Sequence, residues 1–75
     1  MQKKLLVLAA GILQVPVIKK AKEMGIYVIA ADGDPNAVGL KYADKAIVVN
    51  ITSEEDVLKV AREELIDGVI HPCSE

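Results

Sequence analysis

The sequence predicts a three-layer α/β fold, a four-stranded, all-parallel sheet of strand order 3-2-1-4 with helices on both faces. Three observations predict it. Four short apolar runs are continuous rather than alternating, and a strand apolar on both sides is buried on both sides, as in a parallel sheet covered by helices. Amphipathic helical stretches separate the first run from the second and the third from the fourth. Right-handed crossovers then favour a doubly wound arrangement.

The first strand is read at Lys4 to Ala9 (KLLVLA). A helix is expected over Val15 to Met24, with Val17, Ile18, Ala21 and Met24 on one stripe and Lys19, Lys20, Lys22 and Glu23 opposite. Pro16 falls in the first turn, where a helix tolerates it, and Gly25 ends the helix. The second strand is Ile26 to Ala31 (IYVIAA). Gly33, Pro35, Asn36 and Gly39 then mark turns, and Leu40 to Ala43 offers one helical turn at most. The third strand is Ala46 to Val49. A second helix is expected over Thr52 to Leu65, opened by a Thr52–Glu55 capping box and carrying a stripe of Val57, Leu58, Ala61 and Leu65. Gly68 to His71 is the fourth strand.

The 75 residues form one domain, 1–75, and its composition excludes several classes of function. An apolar fraction of 52% with 27% charged residues reads as a soluble globule. A net charge of −2 argues against nucleic acid, and two tyrosines as the only aromatics argue against a base-stacking platform. The apolar run after Lys3-Lys4 is too short to span a bilayer, so no membrane association is expected. A single cysteine excludes an internal disulfide and agrees with a cytoplasmic setting.

In a doubly wound sheet, ligands sit outside the carboxyl ends of the strands where the winding reverses. Here that point lies between the first and fourth strands and selects the loops Ala10–Gln14 and Pro72–Glu75. Gly11 would let a ligand approach the backbone, and Gln14 could bind a polar group. The alternatives are a tight turn and a helix cap. Asp32 ends the second strand, where a nucleotide-binding fold uses an acid on ribose hydroxyls and where a turn would use it equally well, while Asp34 and Asn36 read first as turn residues. Only one glycine of a G-x-G-x-x-G fingerprint is present. His71 and Cys73 are two candidate ligands and do not close a metal shell; no catalytic or metal residue is assigned.

Four pieces carry a resemblance: the Gly11–Gln14 loop with Pro16; the helix ending in Met24-Gly25; Asp34-Pro35-Asn36-Ala37 followed by Tyr42-Ala43-Asp44-Lys45; and Ile66-Asp67-Gly68-Val69-Ile70 leading to Ser74-Glu75. Their order and spacing resemble the N-terminal, biotin-carboxylase-like or pre-ATP-grasp domain of an ATP-grasp ligase, a Rossmann-like unit. The flavour is that of the carbamoyl phosphate synthase large chain. The resemblance implies a parent enzyme that uses ATP and Mg²⁺ to make an acyl phosphate attacked by an amine. It implies no cofactor in this chain, because the ATP site belongs to later domains. It also implies a substrate-side wall built from Gly11, Ile12 and Gln14, with Ser74 and Glu75 opening a second loop and Asp32 and Asp34 at the acidic end of the second strand. Ala9 departs from the pattern, where relatives often have Gly.

The expected partners are therefore the missing ATP-grasp domains of the parent protein and a small-molecule substrate. A stand-alone nucleotide- or dinucleotide-binding module is the alternative. One helix cannot cover the second face of four strands, so part of a longer ligase is expected, with apolar surface left for missing sequence or for a homodimer.

Overall fold

A computed structural model describes residues 2–70. Four strands, β1 (Lys4–Leu8), β2 (Tyr27–Asp32), β3 (Lys45–Val48) and β4 (Gly68–Ile70), form one parallel sheet in the order β3-β2-β1-β4. That is the architecture the apolar runs imply. The register pairs Val7 with Ala30 on one side and with Ile70 on the other, so β1 is central and all four carboxyl ends share one edge.

The two faces of the sheet separate two packed clusters. Val7, Val28 and Ala30 face helix α1 (Val15–Glu23), meeting Ile18 and Ala21, with Leu40 of a 3-10 turn (Val38–Tyr42) beside them. Leu6, Leu8, Ile29 and Ala31 face helix α2 (Glu54–Glu64) and meet Val60. Alternate residues of each central strand feed opposite clusters, so both β1 and β2 are buried on both sides.

The helices differ in detail from their sequence reading. Pro16 lies in the first turn of α1, and Gly25, at φ +81°, ends it as expected. Met24 is exposed at the end of the helix, where the chain leaves it. The second helix starts one residue later than the Thr52–Glu55 capping box requires. Asn50 Oδ1 accepts from both the amide (3.1 Å) and the hydroxyl (2.6 Å) of Thr52. Ser53 therefore becomes the cap, its Oγ accepting from the Asp56 amide. The helix stops at Glu64 and Leu65 turns left-handed, at φ 55°, so Leu65 leaves the stripe; Leu58 is exposed as well, and Val60 supplies the buried contact.

Two aspartates tie strands together by one device. Asp44, just before β3, accepts the Val28 amide through Oδ2 (2.8 Å) and donates its own amide to the Val28 carbonyl (2.9 Å). Asp67, just before β4, does the same to Lys4, accepting at 2.8 Å and donating at 2.8 Å. The lysine face of α1 is more than a solvated surface. Lys19 stands 4.9 Å from the Tyr42 ring centroid, and Lys22 Nζ donates to the Tyr42 carbonyl. Among the described residues the ion pair formed is Lys45–Glu64 (2.7 Å). Among the described residues, no helix is long and apolar enough to cross a membrane.

Candidate functional site

The carboxyl edge of the sheet carries the candidate site. β1 ends at Leu8, and Ala9 turns the chain at φ 74°, a region costly for any residue with a Cβ. Ala10 is fully buried. Gly11 then emerges in an extended conformation, φ −70° and ψ 179°, that any residue adopts. Gly11 is thus not required by its backbone angles; the position that calls for glycine is Ala9. Ile12–Gln14 form a 3-10 turn that runs directly into α1.

Ile12 and Leu13 are exposed, at 69% and 84%. Among the described residues, none of the amides of Gly11, Ile12 and Leu13 donates a hydrogen bond. Gln14 closes the turn, its amide donating to the Gly11 carbonyl. The residue is largely buried (8% exposed), yet among the described residues no side-chain polar atom is both buried and without a partner, so the Gln14 amide is not stranded. Its Oε1 lies 3.7 Å from where a Gly11 Cβ would stand, an ordinary contact, so space does not require glycine there either. Of the residues singled out by sequence, Gly11, Ile12 and Gln14 come together here.

Asp32 stands at the end of β2 on the same edge. Oδ2 accepts the Ala10 amide at 2.7 Å, and Oδ1 accepts the Asp34 amide at 2.8 Å. Asp34 in turn accepts the Asn36 amide at 2.9 Å, a succession of side-chain turns. Asp34 is exposed. Ser74 and Glu75 lie outside the described residues, as do His71 and Cys73. The end of β4 at Ile70 does lie beside the end of β1.

Two residues of this region escaped the sequence reading. Leu13 is the most exposed large apolar side chain of the loop. Gly39 donates its amide to the Ala10 carbonyl at 2.7 Å, and a Cβ there would stand 2.7 Å from that oxygen. The sequence marks Gly39 only as a turn residue; the close approach appears once the fold brings Ala10 beside it.

The loop offers donors: backbone amides at a helix start and one side-chain amide. That set suits a carboxylate or phosphate. It does not suit Mg²⁺, which takes oxygen ligands. Among the described residues no group of three His, Cys, Asp or Glu side chains converges as a metal site.

No protein-family model matches the chain. It is 34% identical over 67 residues to the formate-dependent phosphoribosylglycinamide formyltransferase of Methanocella arvoryzae, covering 89% of this chain and 16% of that protein. It is 32% identical over 69 residues to the enzyme of the same name from Prochlorococcus marinus, covering 92% and 18%. The chain therefore spans less than a fifth of the length of these curated relatives. Among solved structures, phosphoribosylglycinamide synthetase of Anaerococcus prevotii superposes with a TM-score of 0.87 at 34% identity, covering 99% of this chain and 19% of that one. N5-carboxyaminoimidazole ribonucleotide synthetase of Thermotoga maritima superposes with a TM-score of 0.81 at 27% identity, covering 96% and 20%. In sequence and in fold the chain belongs with the N-terminal, biotin-carboxylase-like domains of the ATP-grasp ligases.

Proposed function

We propose that this chain forms the substrate-side wall of an ATP-dependent carboxylate–amine ligase and is not catalytic alone. The loop Gly11–Gln14, with Ser74 and Glu75 from the segment after β4 and Asp32 and Asp34 flanking it, borders the cleft. ATP and Mg²⁺ bind to the parent protein's other domains and there supply the acyl phosphate. What this chain's own residues do is bind and orient. The observation that carries this reading is the loop itself: three backbone amides with no acceptor among the described residues, and the Gln14 side-chain amide beside them, at the start of a helix. Such groups favour a negative substrate group, reinforced by the positive end of α1.

Two specifications follow from the likenesses. The sequence suggested a carbamoyl-phosphate-synthase-like ligase. The relatives favour a substrate of the phosphoribosylglycinamide kind, whose phosphate would suit the Gly11–Leu13 amides. The competing reading is a free-standing nucleotide- or dinucleotide-binding module. It is weakened by the missing fingerprint glycines and by Asp32, both of whose oxygens already accept backbone amides.

The same reading gives a use to the apolar surface. An open groove of about 530 Å³ runs between α1 and the β4 edge, lined by Leu5, Val17, Ala21, Met24, Ile26 and Ile70. In a parent ligase the adjoining domains cover apolar surface of this kind; self-association as a homodimer is its other use, and light scattering separates the two.

Calorimetric titration of the chain with phosphoribosylglycinamide, ATP and NADH tests the function. Weak binding of the phosphoribosyl compound with none of NADH is expected. Tight dinucleotide binding overturns the ligase reading, and ATP turnover by these 75 residues overturns the claim that phosphate transfer is handled elsewhere.

A further inference from the structure

Ala10 is the hidden residue from which the loop departs. Both of its backbone polar groups are taken. Its amide donates to Asp32 Oδ2 at 2.7 Å, and its carbonyl accepts from the Gly39 amide at 2.7 Å. A buried peptide group held on both sides by short bonds, one of them to a carboxylate, is fixed more firmly than an ordinary loop residue. Beyond Ala10 the amides of Gly11, Ile12 and Leu13 are left without acceptors among the described residues. Among the described residues, then, the Ala10 amide is held and the next three amides have no acceptor, although the Gly11 and Ile12 carbonyls accept the bonds of the 3-10 turn.

Three separate pieces of chain meet at this point. Asp32 belongs to the end of β2, and through Oδ1 it also holds the Asp34 amide at 2.8 Å. Gly39 belongs to the 3-10 turn. Its position tolerates no side chain: a Cβ would lie 2.7 Å from the Ala10 oxygen and 3.1 Å from the Ala10 Cβ. These obstacles are backbone and a buried methyl, neither of which swings aside.

We propose that Asp32 is a positioning residue: its carboxylate bridges the Ala10 and Asp34 amides and, with the Gly39 amide on the Ala10 carbonyl, fixes the Gly11–Gln14 loop before any ligand arrives. An acid at the end of the second strand invites assignment to ribose hydroxyls. Here its two oxygens are turned onto the chain's own backbone. Its role in binding is exercised through the loop, a consequence that rests on the substrate-side reading above. The clamp itself does not depend on that reading.

Amide hydrogen exchange followed by NMR tests the clamp without any ligand. In the unsubstituted chain the Ala10 and Asp34 amides exchange slowly and those of Gly11, Ile12 and Leu13 exchange freely. Asp32→Asn keeps the shape but removes the charge and turns a donor toward one of the two amides. It is expected to speed Ala10 exchange about ten- to a hundredfold and to shift the Gly11–Gln14 resonances, with Leu6 and Ile29 unchanged. Gly39→Ala, which pushes on Ala10 from the other side, should shift the same loop resonances. Free exchange of Ala10 in the unsubstituted chain overturns the proposal, and that measurement decides even if a variant does not fold. Unchanged Ala10 exchange in Asp32→Asn, or a change spread evenly over the whole chain, overturns it too. If the unsubstituted chain binds phosphoribosylglycinamide, a folded Asp32→Asn variant should bind it at least about tenfold more weakly. Equal affinity refutes the positioning role, whereas no binding by either refutes the substrate reading and leaves the clamp to the exchange data.

Discussion

Ala9 offers a test in which the usual effect of glycine reverses sign. It sits at φ 74°, where a Cβ crowds the following carbonyl at a cost of roughly 1–2 kcal/mol. Ala9→Gly relieves that cost. Against it stands the extra freedom of glycine in the unfolded chain, about 0.4–1 kcal/mol. Losing a half-buried methyl takes away about 0.4 kcal/mol more, half of a fully buried group. The Ala9 amide keeps its bond to the Ala31 carbonyl (2.8 Å), so the backbone need not move. The balance is a gain of about half a kcal/mol, or roughly 2–4 °C in melting temperature for a domain of this size. The control is Ala46→Gly on edge strand β3, where φ is not positive and glycine should cost about 0.5–1 kcal/mol. Urea and thermal melts followed by circular dichroism read both. The reasoning fails if Ala9→Gly destabilises as much as Ala46→Gly.

Two further outcomes follow from the strand ties and the ion pair. Asp67→Ala leaves the Lys4 amide without its carboxylate and should cost about 1–3 kcal/mol in urea melts, while Asp56→Ala on the exposed first turn of α2 should cost less. Lys45 titrates above its usual value because Glu64 accepts its hydrogen bond and attracts its charge. Its contribution to stability is therefore complete below the unfolded lysine value, about 10.4, and is lost as pH rises through the folded one. In Lys45→Met the alkaline loss of stability should be smaller than in the unsubstituted chain, and the difference should shrink in high salt. Parallel alkaline melts of the two proteins would refute this.

The sheet was legible because its evidence is local. Runs such as Leu5–Leu8 and Val28–Ala31 are apolar at every position, and crossover handedness leaves few ways to order four such strands. Helix ends were less legible because short polar side chains compete for the same amides. Asn50 captures Thr52, so the cap passes to Ser53, and the left-handed Leu65 takes the last apolar residue out of the stripe. The loop could be located from topology alone, but its support could not. Asp32 meets Ala10 across 22 residues of sequence, and Gly39 meets it from a third segment. Nothing in either residue's neighbours announces those contacts. The aspartate ties leave a faint trace, an Asp immediately before a strand at both Asp44-Lys45 and Asp67-Gly68.

The central claim is that the exposed amides after Ala10 are where this domain meets its substrate. Mapping amide shifts of the isotope-labelled 75-residue chain during titration with phosphoribosylglycinamide tests it most directly. The account requires the largest shifts at Gly11, Ile12, Leu13 and the Gln14 side-chain amide, with β3 and α2 silent. Shifts confined to the α1 groove or to α2, with the Gly11–Gln14 amides unmoved, would contradict it.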